Sequence, residues 1–503
     1  NWINAHFIYT HGYGLVMAEA NKITPNGQPV LFIQDAPPKI ETPSLKMTRP
    51  ELYYGEVTHE PVFVGSGQPE FSYPSGSGNV HTKYEGKGGI PVGSFGMRLA
   101  AAVAEGDRDV LLTSYITPAT RMMIHRNIRD RVSRLASFIE WDPDPYLVLT
   151  EAGRLTWVMD GYTTSAAHPY SRRIDISGVG RVNYIRNSVK ATVDAYDGDV
   201  KMYVFDPEDP VLRAFRAMFP TLFTDAAQMP ADIRVHTRYP ELMFRAQGEI
   251  YRTFHMRDPD SFYNREDLWD VAKNASSQEG QTEVVAPAFV VATLPGETKP
   301  EFLLLQPFTP RSKDNLIGLM AARSDGEHLG EIVVLQLSKQ SLIYGPLQVE
   351  ARIDSDSTIS KDLTLWNQQG SKVLRGQMLV LPINDTFLYV EPIYIQSSQA
   401  KMPQLKKVVL AMGNTLVYRD TYDQALAELT GMPIAGGLTE TATPATPGQT
   451  SSTAPAKPPA NPPSGPALQE VRGYLKRYRD LSAQGKWAEA GRELEALEKL
   501  ANR

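Results

Sequence analysis

The sequence predicts an α+β protein built of mixed, largely antiparallel sheets with segregated helices, followed by a disordered linker and a C-terminal helical hairpin. Three observations point there. The stretch "SVKATVDAYDGDVKMYVF" alternates Val189, Ala191 and Val193 with Lys190, Thr192 and Asp194, turns at Asp197-Gly198 and resumes at Val200, which is a β-hairpin pattern. From about residue 286 the apolar segments become short and are separated by turn residues. Helical stripes occur in isolated blocks, without the regular strand-helix alternation of a parallel sheet.

Taken in order, residues 4–14 ("NAHFIYTHGYG") read as an apolar strand stopping at a glycine turn. A helix is predicted over 119–136, with Ile124, Ile128, Val132 and Leu135 in a stripe and Arg121, Arg126, Arg129, Arg131 and Arg134 opposite it. The spacing of Arg126, Asp130 and Arg134 predicts intrahelical ion pairs on a solvated face, against the reading of an anionic-lipid patch. Asp206-Pro207 and Asp209-Pro210 both offer cap and first-turn signals for a helix through Val211, Leu212, Phe215, Met218 and Phe219, and another helix follows Pro240 towards His255. The segments "AFVVATL", "EFLLLQPF", "EIVVLQL", "QMLVLPI", "FLYVEPIYI" and "KKVVLAM" read as strands, interrupted by helix in "PLQVEARIDSDSTISKDLTLWNQQG". Residues 439–466 carry eight prolines and six threonines, a composition that cannot bury a core and reads as a linker. Beyond it, two apolar stripes broken at Gly485 predict a two-helix hairpin that seeks a partner. The expected organisation is a mixed α/β domain over 1–285, a β-rich domain over 286–432 that can intertwine with it, a disordered linker over 433–466 and the hairpin over 467–503.

The 503 residues include 57 acids and 51 bases, a net charge of -6 without a basic stripe, which argues against a nucleic-acid partner. The chain has no cysteine, so disulfides and thiolate chemistry are excluded. It starts at Asn1 and shows neither a signal peptide nor an apolar run long enough to span a bilayer, so a missing upstream part is expected.

His11-Gly12-Tyr13-Gly14 is similar to the oxyanion loop of α/β-hydrolases, but Ser66, Ser75, Ser77, Ser94 and Ser177 all lack the Gly-x-Ser-x-Gly elbow. A packed glycine turn and a ligand loop both remain open for it. The nine histidines form no zinc-binding spacing, and no metal or other cofactor is predicted. Asp142 with Asp144, and Asp197 with Asp199, are weak Ca²⁺ candidates whose competing reading is a turn or cap. "WVMDGYTTSAAHPYS" crowds polar groups that need internal hydrogen bonds if buried, or a ligand if they line a cleft. The candidate ligand cluster is therefore His11, Tyr13, Asp160, Tyr162, His168, Tyr170 and Arg186. No catalytic signature is present.

Several long motifs resemble one family in order and form: "YTHGYG", "RPELYYGE", "IRDRVSRLASFIEWDPDPYLV", "WVMDGYTTS", "NYIRNSVKATVDAYDG", "HTRYPELMF", "FYNREDLW", "YGPLQVEARID" and "YVEPIYIQ". Over about residues 1–430 the chain resembles uncharacterised protein family 0182, large bacterial and cyanobacterial membrane proteins. The resemblance implies a soluble region following N-terminal transmembrane helices, with membrane attachment through helices outside this sequence. It implies no reaction, cofactor or catalytic residue. The expected function is an envelope module facing outside the cytoplasm that binds a ligand or partner. The alternatives are an envelope hydrolase or transferase using dispersed His and Asp residues, and an assembly factor for a membrane complex.

Overall fold

The computed structural model of the chain describes residues 2–432, except 77, 276–280, 341, 369 and 398–401. The predicted linker core and terminal hairpin lie outside the described residues. The fold class is α+β, with antiparallel pairing nearly throughout the described sheets.

The predicted hairpin forms the centre of a six-stranded sheet. Tyr184–Asp194 pairs on one side with Val200–Val204 and on the other with Leu155–Ser165, which in turn carries Glu140–Trp141 and Tyr146–Leu149. Phe223–Asp225 adds in parallel at the far edge, reached through the helix Pro210–Met218. That helix begins where Asp209 caps it and Pro210 supplies its first turn. One sheet face packs Met159, Val189, Ala191 and Val193 against Ile128, Val132 and Tyr54. The alternation suggests one wet face, but Lys190 and Thr192 are buried as well, because the other face is also covered.

After residue 286 the six predicted strands all form. Trp269–Val271, Glu301–Pro310, Gly318–Arg323 and Ile332–Gln336, with Ala288–Ala292 beside Glu301–Pro310, make a five-stranded sheet. Ser371–Arg375, Leu379–Ile383, Thr386–Ser397, Gln404–Met412 and Thr415–Arg419 make another. Odd-numbered Leu303, Leu305, Leu319 and Ala321 share one core with Phe387, Tyr389, Val409 and Ala411 of the second sheet. Even-numbered Leu304, Met320 and Ala322 face Phe244 on the helix Glu241–Phe254, whereas Leu388, Val408 and Leu410 face the helix Tyr422–Thr430. Each sheet is thus covered on both faces, which is why "EFLLLQPF" and "KKVVLAM" read as continuous apolar runs. The predicted interruption is two helices, Pro346–Ser355 and Ser357–Trp366, which contribute Val349, Ile353 and Ile359 to the shared core. The strand Trp269–Val271 and the helix Glu241–Phe254 come from before residue 286 yet pack into the first of these sheets.

Two local expectations are corrected. The helix expected over 119–136 is confined to Ile128–Leu135, because Arg121–Met123 is a strand held between Val62–Val64 and Ile90–Pro91. His125 then takes a left-handed φ of 50°, and Asn127 caps the helix by accepting from the Arg129 and Asp130 N–H groups at 3.0 and 3.1 Å. Arg134 pairs with Asp130 at 2.9 Å as expected, but Arg126 turns inward and donates to the carbonyls of Tyr53 at 2.8 Å, Glu60 at 2.9 Å and Thr10. The segment before His11 is a helical turn, Asn4–Ile8, and Gly12–Tyr13 is itself a short strand beside Glu51–Leu52. Among the described residues no helix is long and apolar enough to cross a membrane.

Candidate functional site

The residues singled out in the sequence fall into several separate contact sets. Asp160 and Lys190 are cross-strand partners whose charged ends meet inside the protein, and Lys190 also donates to Asn187 at 3.2 Å and to the Arg238 carbonyl at 3.1 Å. Tyr162 donates its hydroxyl to Asp142, whose carboxyl is raised by burial despite that bond. Asp144 instead pairs with Arg238 at 2.7 Å. Thr163, Ser188 and Tyr184 all donate to Asp209, the last two at 2.6 Å. The polar density of "WVMDGYTTS" is therefore spent on internal hydrogen bonds. Arg186 pairs with Asp206 at 2.9 Å, and His168 and Tyr170 stand exposed on the loop after the strand.

His11 lies elsewhere. Its ring sits 4.9 Å from that of Tyr53, its Nδ1 is 2.9 Å from the Gly12 carbonyl, and burial holds its pKa below the usual value. Beside it, fully buried Glu70 accepts from Thr10 at 2.6 Å, Tyr53 at 2.8 Å and the Tyr84 N–H at 3.0 Å. Tyr13 packs on Tyr73 at 5.1 Å. Gly14, at φ 70°, donates to the Pro50 carbonyl, which continues the pairing of Gly12–Tyr13 with Glu51–Leu52. None of these contacts joins His11 to Asp160, His168 or Arg186. Asp197 takes the Tyr84 hydroxyl, the Lys87 N–H at 3.0 Å and Arg154 at 3.3 Å; burial opposes its ionisation, but these donors hold its pKa below the usual range. Asp199 pairs with Lys87 at 2.8 Å. Asp142 and Asp144 thus have different side-chain partners, whereas Asp197 and Asp199 take the backbone N–H and the ammonium of the same Lys87. Among the described residues no group of three or more potential ligands converges on a metal position.

A large cavity lies where the pair Lys273–Ala275 and Thr282–Val284 meets the helices Pro346–Ser355 and Ser357–Trp366 and the strand Ser371–Arg375. It has a volume of about 810 Å³. Pro346, Val349, Glu350 and Ile353 form the buried stripe of their helix, so Glu350 is carried inward with the apolar residues. Its carboxylate accepts the Ala275 N–H. Burial pushes its pKa up to about 7, reinforced by nearby Glu391 and opposed by the Ala275 bond and Arg375. Arg375 is committed to Glu391 and, at 2.8 Å, to Asp354. Glu283, Asp354 and Thr364 add further oxygens to the wall, and buried Asn274 keeps its Oδ1 without a hydrogen-bond partner. The cavity therefore sets three carboxyl groups and the free Asn274 oxygen beside the paired Arg375 and the Asn367 and Gln377 amides, with one acid able to exchange a proton near neutrality.

Sequence reasoning missed this site because its walls come from three segments separated by up to about a hundred residues. One signal was present: Glu350 occupies an apolar position of a helical stripe, where an acid is costly unless it is used or paired.

Fold and cavity together define an α+β protein of packed antiparallel sheets with a carboxyl-lined polar pocket at their edge. The chain belongs to uncharacterised protein family UPF0182, whose model matches residues 1–366. It is 64% identical over 502 residues to a UPF0182 protein of Solibacter usitatus, covering 99% of this chain and 54% of that protein. A UPF0182 protein of Desulforamulus reducens is 44% identical over 430 residues, covering 86% of this chain and 46% of that protein. One from Methanospirillum hungatei is 43% identical over 433 residues, covering 86% and 48%. The chain thus spans about half the length of the curated relatives it matches. No solved structure matches it.

Proposed function

We propose that this chain is a ligand-binding module, the extracytoplasmic region of a polytopic membrane protein, whose pocket takes a small polar ligand rich in hydrogen-bond donors. The observation that carries the ligand reading is Glu350, a buried acid facing a cavity walled by Glu283, Asp354 and the unpartnered Asn274 oxygen. Such a wall is complementary to an amine or a polyol and repels a second carboxylate or a phosphate. The membrane reading rests on the family resemblance and is supported by the helix Phe95–Glu105. That helix buries Ala101 and Ala102 while leaving Phe95 76% and Val103 73% exposed, an inverted pattern suited to an apolar neighbour. The segment 467–503, for which the sequence predicts a helical hairpin, is the proposed contact with a protein partner.

The enzyme alternative requires convergence of His11, Asp160, His168 and Arg186, and these residues have separate partners. The test of the ligand reading is calorimetric titration of the whole chain with spermidine and with chitotetraose, alongside Glu350→Gln. Binding of either probe, weakened about tenfold or more in the variant, supports the reading; binding of neither, or equal binding by both proteins, sinks it. Topology is tested separately by expressing the full reading frame and adding protease outside the inner membrane. Cleavage from outside is expected, and protection would refute the extracytoplasmic placement.

A further inference from the structure

A second concavity, of about 550 Å³, lies at the end of the sheet where Trp269–Val271 pairs with Phe308–Pro310. Its charged lining is Arg265, Glu266, Asp267, Arg311, Lys313 and Lys339. Asp267 pairs with Lys339 at 2.9 Å, while Glu266, without an ion-pair partner among the described residues, accepts only from neutral Asn264 at 3.3 Å and Ser261 at 3.4 Å, so the four cations of the lining outnumber its two acids. Among the described residues, Arg265, Arg311 and Lys313 have no ion-pair partner, whereas nearby Arg252 is held by Glu249 and Asp270.

The two loops that present these cations are tied together. The Arg311 N–H donates to the Leu268 carbonyl at 2.8 Å, and Lys313 N–H closes a turn on the Pro310 carbonyl at 3.1 Å. Arg265 and Ser312 hold left-handed φ angles of 55° and 65°, conformations that non-glycine residues seldom adopt and that fix the loop path on either side of the concavity. Three unpaired cations on a braced, concave surface are arranged to hold an anion. Two guanidiniums offer planar forks that match phosphate oxygens, and the lysine adds a point charge.

We propose that this concavity is a binding site for a phosphate group, carried either by a free phosphate compound or by an anionic lipid headgroup. The site is separate from the Glu350 pocket and stands whether or not that pocket binds a ligand. Its affinity falls with ionic strength, since the cations are exposed and screened by salt.

The test uses the whole chain, its Arg311→Ala/Lys313→Ala double variant and Glu350→Gln as a control. Each is titrated with inorganic phosphate against chloride at equal ionic strength, and cosedimented with phosphatidylglycerol or pure phosphatidylcholine vesicles. The expected result is binding by wild type and Glu350→Gln that weakens at least fivefold in the double variant. Loss of phosphatidylglycerol-dependent sedimentation in that variant assigns the headgroup; phosphate binding without vesicle binding assigns a free compound. Arg265→Gly removes a further cation at a position whose left-handed backbone glycine adopts freely, and it should weaken the same binding. Absence of binding to both probes, or equal binding by wild type and double variant, overturns the proposal.

Discussion

Lys190 and Asp160 face each other from adjacent strands with only 3% and 4% of their side chains exposed. A buried pair of this kind is costly to break, because removing one partner strands the other charge away from water. Lys190→Met should destabilise the protein by about 3 to 5 kcal/mol, read from urea denaturation, whereas Lys190→Met/Asp160→Leu should recover part of that loss. If the double variant is no more stable than the single one, the stranded charge is not what destabilises Lys190→Met.

Glu350 makes stability depend on pH in a defined direction. Its folded pKa, about 7, lies above the ordinary value of 4.5, so the folded state holds the proton more tightly. That contribution is fully present below pH 4.5 and is lost as the pH rises through about 7. Glu350→Gln, which never ionises, should match wild type below pH 4.5 and exceed it at pH 8 by roughly 3 kcal/mol, at about 1.4 kcal/mol per pKa unit. Parallel stability curves for the two proteins across that range would contradict the assignment.

Ligand binding at the same pocket should follow the same titration. Spermidine affinity is expected to increase several-fold as the pH rises from 6 to 8 and Glu350 takes its charge. A calorimetric series in wild type checks this, and Glu350→Gln should flatten the dependence.

Gly198 occupies the turn of the central hairpin at φ 75°, and a Cβ there would stand 2.4 Å from the Tyr54 ring. Tyr54 cannot retreat easily, since Arg131 lies 4.6 Å over its ring and donates to the Gly198 carbonyl at 2.7 Å. Gly198→Ala should cost about 2 to 4 kcal/mol by thermal denaturation, through backbone strain and overpacking together. Gly178 has φ 84° with nothing within 4 Å of an added Cβ, so Gly178→Ala should cost only about 1 kcal/mol.

Much of the local structure was legible because it depends on neighbours in sequence. The hairpin at Asp197-Gly198, the Asp209-Pro210 helix start and the strands after 286 all arise from turn chemistry, caps and period. The failure at 119–136 shows where that reading stops. Ile124, Ile128, Val132 and Leu135 share one helical stripe, but hydrogen bonds to Val62–Val64, some sixty residues away, make Arg121–Met123 a strand. The candidate cluster of His11, Asp160, His168 and Arg186 was drawn from residue types, and types do not say which donors will meet which acceptors.

By itself, then, the sequence determined the α+β class, the order of most elements and membership of its family, since these rest on local pattern and on long motifs. Only the tertiary structure decided that Asp160 meets Lys190, that Arg126 turns inward, and that Glu350 opens onto a cavity. The physical reason is that burial and charge pairing are properties of distance in space. Residues 274, 350 and 375 acquire a shared chemistry only when two sheets and a helix pair bring them to one wall.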